Sequence, residues 1–169
     1  MVKVVDYSNH RGGILALLPK IYAMHKENAA SDKSGTLQPP GHFVTWQQGF
    51  KKRLTDIDWR FIVATFGGDV AGALFFRFDG GDAYIEELQL SKAFARNEAV
   101  FDQIFKKLDF DKRALGATFH AGPHVKLDRG KEMLASVGNK EAPAGGYEKL
   151  GGLGEARAAL RLRFFAGAV

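Results

Sequence analysis

One stretch limits the folds open to this chain more than any other: Tyr84 to Asp111, YIEELQLSKAFARNEAVFDQIFKKLDFD. Tyr84 to Leu90 is dense in aromatic and branched residues and reads as a strand. Ser91 to Arg96 is a short connection, and Asn97 to Leu108 reads as a helix. Asn97 suits the N-cap, and Glu98 suits the positive end of the helix dipole. Val100, Phe101, Ile104, Phe105 and Leu108 form one apolar stripe, with Lys106 and Lys107 at the end that favours cations. A strand entering a helix this directly leaves backbone N–H groups unpaired in the turn, where an anion is welcome.

The rest of the chain supplies the elements around that unit. Val2 to Tyr7 reads as a first strand, and Ile14 to Lys26 as a helix that Pro19 must either kink or open. Asn28 to Gly41 has a loop's composition. His42 to Leu54 reads as a second helix, with Trp59 to Phe66 and Val70 to Asp79 as a hairpin turning at Gly67-Gly68-Asp69. Ala114 to His120 reads as a fifth strand and Lys126 to Val137 as a further helix. Gly146 to Leu150 and Arg157 to Phe165 read as a final hairpin, the last strand alternating Ala158, Leu160, Leu162 and Phe164 with Ala159, Arg161, Arg163 and Phe165. The expected order is βααβββαβαββ, one domain over residues 1–169.

Several classes of function fall away on composition. There is no cysteine, which excludes thiol catalysis, disulfides and cysteine-based metal sites. No apolar run approaches the about 20 residues needed to span a membrane, and the first ten residues lack a secretory core. A cytoplasmic protein without membrane contact is the expectation. The net charge of +5 favours an anionic partner, but the cations are scattered. The pattern does not point to a nucleic-acid binder.

Ile85 to Leu90, IEELQL, resembles the fourth strand of the GNAT family of N-acyltransferases, and Phe61 to Leu74, FIVATFGGDVAGAL, is similar to the second and third strands of that family. The resemblance is strongest over Trp59 to Leu108. It implies an α/β (α+β type) fold with a mixed, mostly antiparallel sheet of about seven strands and about four helices. It also implies transfer of an acetyl group from acetyl-CoA directly to an amine, the acceptor being a small molecule or a peptide. On the same footing Leu88 and Leu90 would pair through their backbones with the pantetheine arm. Arg96, Asn97, Glu98, Ala99 and Val100 would make the diphosphate loop.

This chain departs from the family pattern at that loop. Glycines are expected three and five residues after Arg96, where Ala99 and Phe101 stand, and no glycine occurs between Asp82 and Leu115. The family's helix Asn and Tyr are replaced by Leu127 and Leu134, with Tyr147 as a substitute proton donor from the final hairpin. A binding or regulatory module that has lost cofactor binding is the alternative reading.

Glu86 and Glu87 are the candidate bases. Ile85 and Leu88 are both apolar and three apart, so strict alternation fails. The strand is therefore either covered on both faces or bulged at the two acids, and parity does not say which carboxylate faces the cleft; Glu87 is preferred. His120 and His124 flank Ala121-Gly122-Pro123, and His120 is a third candidate for acid–base work. The HxxxH spacing does not make a metal site, because Pro123 opposes a helix and no third ligand is evident. A homodimer through the last strand is open.

Overall fold

The structure is a computed structural model, which describes residues 1–32, 37, 39–122, 125 and 146–165. Six strands form one sheet in the order of the chain: β1 (Val2–Asp6), β2 (Trp59–Phe66), β3 (Asp69–Asp79), β4 (Asp82–Leu90), β5 (Thr118–Ala121) and β6 (Glu148–Gly151). All neighbours are antiparallel except β4 and β5, which run parallel. That parallel pair requires a crossover, supplied by α3 (Glu98–Lys106) and the short α4 (Lys112–Leu115). Helices α1 (Leu18–Ser31) and α2 (Phe43–Leu54) precede β2, and α5 (Leu153–Phe165) follows β6.

Two apolar clusters divide the sheet's faces. Ile62, Leu74, Phe76, Ile85 and Leu88 pack with Val100, Phe101 and Ile104 of α3 and Leu160 of α5. Phe61, Val63 and Phe75, from the alternate positions, pack with Ile21 and Met24 of α1 and Phe50 of α2. A fully buried aromatic or aliphatic side chain contributes about 1.5–3 kcal/mol, so these two layers hold the elements in place.

Local signals explain most element ends. Asn97 caps α3, its Oδ1 accepting from the Val100 N–H at 3.2 Å. Pro19 opens α1 rather than kinking it, sitting in the first turn after a 3₁₀ segment over Arg11–Leu17. The hairpin from β2 to β3 turns at Gly67 and Gly68, both at positive φ.

Four expectations are corrected. Arg157 to Phe165 is part of helix α5, not a strand. Its Leu153, Ala156 and Leu160 are buried at helical spacing, and Ala, Leu, Arg and Glu are strong helix formers whose alternation here was incidental. The fifth strand is shorter than expected, because Asp111 caps α4 by accepting from the Arg113 and Ala114 N–H groups, and the chain enters β5 only at Thr118. The sheet thus has six strands with five α-helices among the described residues, against about seven and about four expected. The Asn28 to Gly41 loop begins later than expected, since α1 runs to Ser31. The helix expected over Lys126 to Val137, with Leu127 and Leu134, lies outside the described residues, as does His124.

Candidate functional site

The site is built where β4 and β5 part. The two strands pair from Asp82↔Thr118 to Ile85↔Ala121, and the Gly122 N–H donates to the Ile85 carbonyl at 2.8 Å. Beyond Ile85 the strand continues to Leu90 with β3 as its one strand partner among the described residues. Glu86 and Glu87 stand at the parting.

β3 pairs Phe76 with Ile85 and Phe75 with Glu87, which leaves Glu86 as an extra residue in β4. This is a β-bulge, and it resolves the broken alternation of the sequence. It also turns both acids to the face covered by α1 and α2. Glu87 Oε1 lies 3.3 Å from Nδ1 of His25 in α1, with both side chains buried. Glu86 Oε1 accepts a short hydrogen bond from the Tyr147 hydroxyl and lies 3.4 Å from Arg77 Nε. Arg77 follows Phe75 by two positions on β3, so it shares Phe75's face.

A layer of rings surrounds the Glu86 carboxylate. The Arg77 guanidinium sits 4.6 Å from the centroid of Tyr84 and 5.8 Å from that of Tyr147. His120 stacks on Tyr84 at 4.8 Å, and Tyr84 meets Tyr147 edge-on at 5.0 Å. His120 Nε2 lies 2.9 Å from Asp82 Oδ1, so it is tied to the start of β4 and does not reach either glutamate. Burial, and then the hydrogen bond to Glu86, hold the Tyr147 hydroxyl above its ordinary value, while Arg77 pulls the other way. For Arg77, burial works against the charge, yet the bond to Tyr147 and the charge of Glu86 keep its value raised.

A cleft of about 120 Å³ opens along the end of β4, lined by residues that include Leu88, Leu90, Lys92, Asn28 and Phe164. Leu88 and Leu90 are buried, with side chains in the α3 layer. Asn28 of α1 donates through Nδ2 to Gln89 Oε1 at 3.0 Å and to the Leu90 carbonyl at 2.9 Å. His25 and Asn28, one turn apart on α1, thus both address the polar face of β4. Neither was suggested by the sequence, because their partners lie about sixty residues away.

The connection from β4 to α3 places Arg96, Asn97, Glu98 and Ala99 at the surface, with Val100 buried. Glu98 meets Arg161 of α5 at 3.2 Å, and the same arginine reaches Asp102 at 3.2 Å. Phe101 is part of the core, fully buried against Phe105, Phe164 and Phe165. Among the described residues no group of three His, Cys, Asp or Glu side chains is arranged to hold a metal ion, and no helix is long and apolar enough to cross a membrane.

No family model and no curated protein matches the sequence. Solved structures do match the fold. A PaiA N-acetyltransferase from Thermoplasma acidophilum, in complex with coenzyme A, is 12% identical with a TM-score of 0.59, over 88% of this chain and 99% of that one. A predicted acetyltransferase from Clostridium acetobutylicum, with acetyl-CoA, is 11% identical with a TM-score of 0.53, over 85% and 92%. An aminoglycoside antibiotic 6′-N-acetyltransferase from Acinetobacter baumannii is 14% identical with a TM-score of 0.52, over 83% and 92%. At such identities the likeness is one of architecture, and the chain has the fold of the GNAT acetyltransferases in a divergent form.

Proposed function

We propose that this protein is an N-acyltransferase that moves an acetyl group from acetyl-CoA to an amine. The observation that carries the reading is the bulge at Glu86, which brings two carboxylates to one face at the point where β4 and β5 separate. The alternative of a non-catalytic module rests on the missing loop glycines and the replaced helix Asn and Tyr, and the bulge weighs against it. Solved neighbours with coenzyme A or acetyl-CoA, and one acting on aminoglycosides, support the cofactor and a small-molecule amine as acceptor.

The cofactor supplies the acetyl group as an activated thioester. The side of β4 beyond Ile85, where β5 no longer pairs with it among the described residues, suits the amides of a pantetheine arm, with Leu88 and Leu90 offering backbone rather than side-chain contacts. The diphosphate end is held differently from the glycine-loop pattern. Phe101 is locked in the core, so cations replace close backbone approach: Arg96 at the exposed turn and Lys92 in the cleft wall. Asn97, Glu98, Ala99 and Val100 shape the helix start there.

Glu87 takes the proton from the amine, and His25 against its other side holds the carboxylate in place. Tyr147, kept protonated by burial and Glu86, is the donor for the departing sulfur. His120 is a positioning residue that supports Tyr147 through the Tyr84 ring. The test is an acetylation assay over a panel of amines with free thiol as readout. Glu87→Gln should lower the rate about 10²–10⁴-fold, the usual worth of a general base. A wild-type protein that binds acetyl-CoA and acetylates no amine would overturn the assignment.

A further inference from the structure

A strongly basic cavity among the described residues shares no lining residue with the acyl-transfer cleft and has no part in the chemistry above. It measures about 660 Å³, and its cationic side chains are Arg11, Arg60, Lys107, Lys112 and Arg113, against the carboxylates of Asp6 and Asp111. A smaller cavity of about 280 Å³ shares Lys107 and Phe110 with it and adds Lys106 and Val4. The two together make a groove between β1 and the segment joining α3 to α4.

The positive charge there is crowded. Arg60 and Arg113 both lie over the ring of Phe78, at 5.0 and 4.5 Å from its centroid. Arg11 is pushed below its ordinary value by burial and then by the charge of Arg60. Its guanidinium is spent on backbone carbonyls, among them those of Ser8, Leu54 and Trp59, none of which neutralises it. Arg60 and Arg113 are each matched by a single aspartate, Asp111 and Asp58.

The same groove carries exposed apolar surface. Met1 aside, Phe110 at 80% and Ile57 at 79% are the most exposed large hydrophobic side chains among the described residues, and both line it. Val4 and Asp6 of β1 line it, and β1 ends the sheet, pairing with β2 alone among the described residues. A free strand edge is a template for an added strand.

We propose that this groove docks an extended, acidic segment of a partner protein, which adds to the edge of β1. Its acidic side chains would meet Lys106, Lys107, Lys112 and Arg113, and its apolar side chains would cover Phe110 and Ile57. Charge complementarity selects that occupant: Lys106, Lys107, Lys112 and Arg113 bring four cations to the groove wall, whereas β1 of a second copy, with one lysine and one aspartate, carries no net charge to offer them.

The test uses the whole protein with two synthetic peptides, one alternating Glu and Val and one alternating Lys and Val, measured by calorimetry. The Glu–Val peptide should bind and the Lys–Val peptide should not. N-methylation of alternate backbone positions in the Glu–Val peptide should weaken binding about tenfold or more, because strand addition needs those N–H groups. Lys106→Glu with Lys112→Glu should weaken it by a similar factor, and both lysines are exposed, so the fold should stand. Phe110→Ser is a second, independent variant that should also weaken it. Equal binding of the two peptides, no binding of either, or indifference to N-methylation overturns the proposal. Tighter binding of an oligouridylate, lost in the double lysine variant, assigns the groove to RNA and overturns it. So does a dimer on gel filtration that the double variant abolishes.

Discussion

The hydroxyl of Tyr147, just ahead of β6, donates to the carboxylate of Glu86 at the bulge of β4, sixty-one positions away in the chain. The bond joins the two strands that flank β5 and places a proton donor beside the carboxylate pair. Its consequence is measurable in alkali. The Tyr147 proton is held more tightly in the folded chain than in the unfolded one, so its contribution to stability is fully present below the ordinary value of 10.0 and is lost as pH rises through the raised folded value. Tyr147→Phe should flatten the fall in unfolding free energy above about pH 10, measured by urea titration at stepped pH. An unchanged slope would mean the proton is not held in this way.

The pairing of His25 with Glu87 predicts a different response. Removing one partner from a buried pair leaves the other poorly matched, at a cost of roughly 3 kcal/mol. His25→Ala should therefore lower stability by that order and reduce acetylation. Glu87→Gln should keep more of the stability while abolishing the base. Chemical unfolding and the acetylation rate, read on both variants, separate the two effects. Equal loss of stability in both would contradict this division of roles.

The parting of β4 and β5 depends on Gly122. A Cβ there would lie 2.8 Å from the Ile85 carbonyl oxygen and 3.2 Å from Cε1 of Tyr147. Gly122→Ala should push the strands or the ring aside, costing about 1–3 kcal/mol, and acetylation should fall with it. A variant with wild-type melting and wild-type rate would show that Tyr147 is not set by this contact.

Restoring the missing glycines is predicted to fail. Ala99 is exposed on α3, and Ala99→Gly should cost only about 1 kcal/mol. Phe101 is in the core, and Phe101→Gly should cost about 3–5 kcal/mol. Neither should tighten acetyl-CoA binding, since the diphosphate is assigned to Arg96 and Lys92. A gain in affinity with Ala99→Gly would favour a backbone cradle instead.

Much of this was legible where the physics is local. Asn97 and the stripe from Val100 to Leu108 defined α3, and the broken alternation at Glu86-Glu87 offered a bulge as one of two readings. Residues 153–165 were not legible, because alternating Ala, Leu and Arg satisfies period two as well as a helix, and only the layer beside α3 decides. His25, Asn28 and Arg77 acquire meaning solely through partners remote in sequence. The loss of glycine after Arg96 was plain in the sequence, but its cause, a phenylalanine serving the core, was visible only once Phe101 was seen against α5.

The proposed function requires the cleft beside β4 to accept acetyl-CoA without a glycine loop. Titrating the protein with acetyl-CoA by calorimetry, with Glu86→Gln and Glu87→Gln alongside, tests it most directly. Micromolar binding that neither substitution changes is expected, since the cofactor is assigned to the backbone of Leu88 and Leu90 and to Arg96 and Lys92 rather than to either carboxylate. No heat of binding at millimolar acetyl-CoA would contradict it, and would leave the chain a GNAT fold serving another ligand.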